Sequence, residues 1–322
     1  MNIKIGTRKS KLALAQTNMV VNEIKKYFPS INIEVVHFTT KGDKVLNKPL
    51  INIGGKGVFV TEIEDALLNK EIDLAVHSAK DLPLKLQDNL TISAVLKRGN
   101  YRDTLVTVKG NVIDFSKETV IGTGSNRRKL AFKNLYPNAA FKDIRGNVDT
   151  RLNKLYNGEY DGIILAMAGL ERLDLLSDSR FTFTPFDYKE FVPAPCQGII
   201  AIESRNNDLT EILSKINHKD TFYSFQTERH ILNILNADCG MPLGSYSFVE
   251  NNKINVVYTS DSKEIITKSD LLEKKEEGLN DRVIEIENIE NGVPSGFVPF
   301  TATAPTTTSE IIPSKDSTTM AP

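Results

Sequence analysis

An apolar run breaks off at a cluster of groups able to handle protons. After Asp73 the residues Leu74, Ala75 and Val76 give way to His77, Ser78, Ala79, Lys80 and Asp81, with Pro83 close behind. This pattern predicts a short strand that delivers the Asp81 carboxylate to a loop. The Lys80 charge beside it favours the ionised acid and burial would favour the neutral one, so either form could serve proton transfer. A surface turn could carry the same letters. The position at the C-terminal end of a strand in an α/β pattern raises the chemical reading, because ligands bind at such ends.

Arginines form the second set. Arg8, Arg127, Arg128, Arg145, Arg151 and Arg172 fall at or just after predicted strand ends, and planar guanidinium groups suit carboxylate or phosphate. Arg151 and Arg172 lie within helical segments, so helix-surface positions are the competing reading for them. Together the six predict a basic cleft and a polyanion small enough to sit between two lobes. A local echo supports this: Gly6-Thr7-Arg8-Lys9-Ser10 before one helix, Gly122-Thr123-Gly124-Ser125-Asn126-Arg127-Arg128 before another. Both put hydroxyl groups and arginine at a helix N-terminus, where free N–H groups favour an anion. The segment Thr40 to Gly57, with Gly54, Gly55, Gly57 and Lys41, Lys44, Lys48 and Lys56, reads either as a basic lid or as an ordinary solvated loop. Cys239 lies in a turn-rich stretch, as a nucleophile, an attachment point or a buried thiol. Cys196, in Pro193-Ala194-Pro195-Cys196-Gln197-Gly198, is assigned backbone packing at a crossing between lobes.

The elements that must hold these groups alternate. Strands are predicted at Ile3 to Ile5, Ile31 to Val35, Thr119 to Gly122, Ala140 to Ile144 and Gly162 to Ala166. Helices are predicted at Lys11 to Tyr27, Val58 to Asn69, Arg127 to Tyr136 and Val148 to Asn157. The first helix is expected to bury Leu12, Ala15, Met19 and Ile24. Parallel pairing follows from the alternation. A chain of 322 residues has length for two or three domains, and 40 basic against 41 acidic residues argue against a general nucleic-acid binder. No signal-peptide core or membrane-spanning run is found, so a cytoplasmic protein is expected. Two distant cysteines make neither a zinc cluster nor a disulfide in a reducing compartment, and no metal site is expected.

Taken in order, these segments resemble the porphobilinogen deaminase (hydroxymethylbilane synthase) family. The resemblance is carried by Gly6-Thr7-Arg8-Lys9-Ser10, Gly54-Gly55-Lys56-Gly57-Val58-Phe59, His77-Ser78-Ala79-Lys80-Asp81, Asn126-Arg127-Arg128, Ile144-Arg145-Gly146-Asn147-Val148 with Thr150-Arg151-Leu152, and Ala168-Gly169-Leu170-Glu171-Arg172-Leu173. Gln197-Gly198 and Cys239 with Pro242-Leu243-Gly244-Ser245-Tyr246 complete it. It spans roughly the first three quarters of the chain.

The resemblance implies an α/β fold of two type II periplasmic-binding-protein-like lobes plus a smaller α/β third domain. The first lobe is expected over 1–96 and 197–216, the second over 97–196 and the third domain over 217–292. The implied reaction joins four porphobilinogen molecules head to tail with loss of ammonia, then hydrolyses the product to hydroxymethylbilane in tetrapyrrole biosynthesis. A dipyrromethane cofactor would be held by a thioether on Cys239. Asp81 would be catalytic, accepting pyrrole N–H bonds and stabilising the azafulvene cation by ~3 kcal/mol. Lys80, Ser125, Arg127, Arg128 and Asp81 would hold the cofactor. Arg8, Ser10, Arg145, Arg151, Arg172, Lys56 and Gln197 would bind substrate, with Lys56 on the lid. Lys80 and Asp81 then read as two opposed ligand contacts rather than a salt bridge. The partners implied are porphobilinogen and its linear oligopyrrole products, with no nucleic acid or membrane, and a monomer is expected.

Three features depart from the family pattern. Ala237 and Asp238 stand where glycines are usual, and Cys196 replaces a small residue before Gln-Gly. The third domain's expected long helix is hard to find after Leu271, so a shortened domain is expected, with Asp281 to Ile289 as either helix or strand. Val293 to Pro322, rich in threonine, serine and proline, is expected to be a disordered tail or linker. The alternative function is a two-lobed anion-binding protein, which would need neither Cys239 nor Asp81 for chemistry.

Overall fold

The computed structural model describes residues 1–40, 60–235, 237, 241–260 and 265–271. The expectations for Lys56 and the rest of the lid, for Val58 and Phe59, for Asp238 and Cys239, for 272–292 and for the tail lie outside the described residues.

Two five-stranded sheets organise the described residues up to Arg205. β1 (Asn2–Arg8) is parallel to β2 (Asn32–Phe38) and β3 (Leu74–Ser78). β4 (Leu90–Val95) completes the sheet through β10 (Ile200–Arg205), which runs antiparallel between β3 and β4. The second sheet repeats the plan. β6 (Thr119–Gly122) is parallel to β7 (Ala139–Lys142) and β8 (Gly162–Ala166), while β5 (Asp103–Val108) runs antiparallel between β8 and β9 (Phe181–Pro185). The orders are β2-β1-β3-β10-β4 and β7-β6-β8-β5-β9. In each sheet the antiparallel strand follows directly on a segment that crosses from the other lobe. This is the two-lobed periplasmic-binding-protein-like α/β fold.

Helices cover both sheets, which explains the apolar runs Leu74 to Val76 in β3 and Ile163 to Ala166 in β8. α1 (Lys11–Tyr27) starts where Ser10 Oγ accepts from Ala13 N at 3.2 Å, and Lys25 and Lys26 complement the dipole in its last turn. Its buried residues are Gln16, Thr17, Val20 and Ile24, while Met19 is 41% exposed. The expected stripe through Leu12, Ala15 and Met19 is thus corrected. The N-terminal half of the helix packs polar groups inward: Gln16 exchanges hydrogen bonds with Ser78 Oγ at 2.8 and 3.1 Å, so apolarity alone mis-phases the face. α2 (Thr61–Leu68) lies on the same sheet. α3 (Asn126–Leu135), α4 (Val148–Tyr156) and α5 (Met167–Arg172) accompany the second sheet. Ile3, Ile5, Leu74 and Ile202 centre one core, and Val106, Leu155, Ile163 and Leu170 the other.

Past β10, α6 (Thr210–Ile216) returns to the first core through Ile212, Leu213 and Ile216. α7 (Lys219–Ile234) then leads to an antiparallel meander of β11 (Gly244–Glu250), β12 (Lys253–Thr259) and β13 (Ile266–Leu271). Among the described residues no helix is long and apolar enough to cross a membrane.

Candidate active site

The cleft is formed by strand ends. β3 ends in a single 3-10 turn, Ala79–Asp81, whose Ala79 is buried while Asp81 is exposed. Burying the alanine anchors the turn against Ile199 O, which accepts from Ala79 N at 3.0 Å. Asp81 borders a cavity together with Arg8, Ser10, Gln16, His77 and Ser78. The strand-end carboxylate and the β1–α1 loop therefore meet at one place.

The other lobe contributes the echo segment. Ser125 Oγ caps α3 by accepting from Arg128 N at 3.4 Å, as Ser10 caps α1. Neither helix carries an acid in its first turn, so both dipoles remain available to an anion. Arg127 and Arg128 do not simply face solvent. Arg127 Nη2 and Arg128 Nη2 each reach an oxygen of Asp103 at 2.7 Å, and Arg127 Nη1 and Arg128 Nη1 donate to the carbonyls of Val192 and Ile164 at 2.8 and 2.9 Å. Asp103 is fully buried. Burial pushes its carboxyl upward, but the Arg127 and Arg128 charges and a Gln197 hydrogen bond overcome this and hold it well below the usual carboxylate range.

Gln197 links this network to the Ala79–Asp81 turn. Its Nε2 donates to Asp103 Oδ1 at 3.0 Å and to Tyr101 O at 2.8 Å, while its Oε1 accepts from Lys80 Nζ at 3.3 Å. Lys80 thus reaches from the first lobe into the second lobe's charge network. Burial lowers its ammonium to about 8, opposed by Asp81 and reinforced by Arg128. Arg151 donates from Nε to Gly146 O at 2.8 Å, and burial followed by the Arg128 charge lowers it to about 10. Asp81 and Arg145 also act on Arg151, so Lys80, Asp81, Arg128, Arg145 and Arg151 share one electrostatic neighbourhood. With Arg127 and Asp103, which also act on Lys80, this neighbourhood gathers five basic side chains against two acidic ones.

Arg172 sits apart from this group. Its Nη2 donates to Gly198 O at 2.6 Å, at the crossing segments. There Gly99 N donates to the same carbonyl at 3.1 Å, and Gly198 has φ +87° with Gly99 O only 2.8 Å from where a Cβ would stand. Only glycine fits both the backbone and the gap.

Two acids of this network escape the sequence reading. Glu228 of α7 takes Arg98 Nη1 at 2.5 Å, Cys196 N at 2.5 Å and Ser247 N at 2.7 Å, tying both crossing segments to β11. Tyr246 stacks on Tyr101 at 3.8 Å beside it. Cys196 is buried within this packing, as assigned from sequence. Asp103 is the other. An acid opening the apolar strand β5 is the available signal, since a charge in a buried strand is there because it is paired.

Known proteins resemble this chain in sequence over most of its length. Residues 3–212 match the family described as porphobilinogen deaminase, dipyromethane cofactor binding domain. A porphobilinogen deaminase of Rickettsia bellii is 48% identical over 257 residues, covering 79% of this chain and 85% of that protein. One from Acetivibrio thermocellus is 46% identical over 255 residues, covering 79% and 86%. Among solved structures, the periplasmic VFT2 domain of BvgS from Bordetella pertussis is similar at 14% identity and a TM-score of 0.40, over 72% of this chain and 92% of that one. That likeness is too slight to argue from, whereas the match in sequence covers most of the chain: it belongs to the porphobilinogen deaminase family.

Proposed function

We propose that the cleft is where this transferase, which condenses porphobilinogen into hydroxymethylbilane, holds a dipyrromethane primer and the growing chain, with Asp81 as its catalytic group. The observation that carries the reading is the exposed Asp81 carboxylate standing on the same cavity as Arg8 and Ser10 and within the charge neighbourhood of Lys80, Arg128, Arg145 and Arg151. The donor set fits the cofactor. A dipyrromethane bears acetate and propionate carboxylates, and the cleft offers cations, two acid-free helix N-termini and hydroxyl groups to receive them. When bound, it supplies a free pyrrole carbon for the first incoming ring.

The remaining work belongs to the chain's own residues. Asp81 accepts pyrrole N–H bonds and stabilises the positive charge that develops as the aminomethyl nitrogen of porphobilinogen departs, an effect of about 3 kcal/mol for a preorganised group. Lys80, Ser125, Arg127 and Arg128 bind cofactor carboxylates, the two arginines through donors that Asp103 leaves over. Arg8, Ser10, Arg145 and Arg151 bind those of the substrate, Gln197 positions Lys80, and Arg172 acts where the lobes cross. Cys239 is the attachment point and Lys56 belongs to a lid. Residues 1–96 with 197–216 act as one lobe, 97–196 as the other and 217–292 as the part presenting the primer, in a cytoplasmic monomer.

The test is the intact-protein mass with and without Asp81→Asn. Protein incubated with porphobilinogen is expected to carry an adduct of two linked pyrroles on Cys239. Asp81→Asn should cut turnover by roughly 10²-fold or more with an unchanged thermal midpoint, because the side chain is exposed. Unmodified protein that porphobilinogen cannot prime, or near-normal turnover in the variant, would overturn the assignment.

A further inference from the structure

A second titratable group stands behind the same cavity, and the reading above gives it no task. In the β3–β10 register His77 pairs with Ala201 and Glu203 with Ala75, so His77 and Glu203 lie diagonally on one sheet face. His77 Nε2 is 2.9 Å from Glu203 Oε2, and Glu203 is fully buried. Its other oxygen, Oε1, has no hydrogen-bond partner, and neither does Oε1 of the buried Glu64 from α2. Burial, and then the charge of Glu203, push Glu64 up to about 7. Arg229 of α7, which donates to Leu84 O at 2.6 Å, also feels the charge of Glu203. A histidine that only fills core space does not require this arrangement, since burying a carboxylate with an unmet acceptor is costly. His77 also borders the cavity shared by Asp81, Arg8, Ser10 and Ser78.

We propose that the His77–Glu203 pair is the proton store of this site, taking up the proton released when two pyrrole rings are joined and passing it to the amine nitrogen of the next porphobilinogen as its ammonia departs. The inference rests on the function proposed above. In the joining step the aminomethyl C–N bond breaks and its electron pair leaves with nitrogen as ammonia. A C–C bond forms to the accepting ring, and the C–H bond at that carbon breaks to restore aromaticity. One proton is set free and one ammonia can bind it, so ammonium leaves and no outside acid or base is consumed. Asp81 receives the proton first, and a cavity of about 70 Å³ gives room for water to pass it to His77. Glu203 supports the imidazolium that results. Glu64, pushed up to about 7 by burial and by the charge of Glu203, carries less negative charge beside Glu203 near neutral pH than an ordinary carboxylate would.

Two variants and one spectroscopic readout test this. His77→Gln is expected to lower kcat roughly 10²-fold with little change in KM, and to remove one limb of the kcat–pH profile. Glu203→Gln keeps the shape of the site but withdraws the carboxylate's support for imidazolium, so the same limb should move to lower pH. The chain has 4 histidines, so the His77 imidazole resonance can be identified by its loss in His77→Gln. Its NMR titration should also move to lower pH in Glu203→Gln, whatever the activity. If His77→Gln does not fold, the Glu203→Gln profile and titration decide the matter alone. A kcat–pH profile of unchanged shape in the variants, or an imidazole titration indifferent to Glu203→Gln, overturns the proposal. Should that happen while Asp81→Asn abolishes turnover, the proton store falls and the site reading stands.

Discussion

In the first lobe the central strand β3 ends in Ser78, Lys80 and an exposed Asp81, whereas its counterpart β8 in the second lobe runs into α5, which ends in Arg172. The flanking strand-to-helix turns are alike, each closed by a serine cap, at Ser10 and at Ser125. The antiparallel strands differ again. β10 buries Glu203 against a histidine, while β5 buries Asp103 against two arginines. One plan used twice thus yields a lobe that offers a carboxylate and can hold a proton, and a lobe that offers fixed positive charge. Unlike charges thus stand on equivalent strand ends.

The sharpest way to break this comparison is to remove the second lobe's acid. Asp103→Ala leaves two buried guanidinium groups uncompensated and should cost about 3–5 kcal/mol of stability, read from urea denaturation. A cost below about 1 kcal/mol would mean that the arginines are supported without it. The same carboxyl predicts a pH dependence. Because its folded-state titration lies below its unfolded one, its contribution is complete above the ordinary aspartate range near pH 4 and is lost as pH falls below that range. Wild-type stability should therefore drop on acidification more steeply than that of Asp103→Asn. Parallel curves would show that the pair does not govern acid stability.

A smaller effect tests the likeness rather than the difference. Ser10→Ala and Ser125→Ala each remove an N-cap and should each cost about 1 kcal/mol, read as a shift in thermal midpoint. Equal losses, each with a raised KM for porphobilinogen, would support equivalent anion cradles. A rise in KM confined to one variant would assign binding to that lobe alone.

Much of this was legible in the sequence. The alternating pattern gave β1, β2, β6, β7 and β8 within a few residues because local apolar spacing defines those strands. The echo between Gly6 to Ser10 and Gly122 to Arg128 pointed to two equivalent turns because capping chemistry is local too. The partnerships that cross long distances were not legible. Asp103 meets Arg127 and Arg128, Glu203 meets His77 across 126 positions, and Glu228 collects both crossing segments. No periodicity encodes which buried acid closes on which cation; that is decided by the antiparallel insertion of β5 and β10. The same limit misplaced the buried face of α1, where Gln16 is held inward by Ser78 from another strand.

The smallest expected effect lies at the rim between the lobes. Lys11, the first residue of α1, reaches Asp149 in the first turn of α4 at 2.6 Å, an ion pair that joins one lobe to the other. Asp149 suits its helix N-terminus and Lys11 opposes its own, so the pair transfers favourable charge from the second lobe's helix to the first. Lys11 is 79% exposed, and exposed pairs are screened and contribute little. A double-mutant cycle with Lys11→Ala and Asp149→Ala should therefore give a coupling below about 1 kcal/mol at low salt, vanishing at about 0.5 M salt. If the coupling persists at high salt, the contact is shielded from solvent and the lobes are held together at the rim rather than at the crossing segments. If it vanishes, the burden of holding the two lobes in register falls on Arg98, Glu228 and Gly198, where the charges are buried and the backbone admits no side chain.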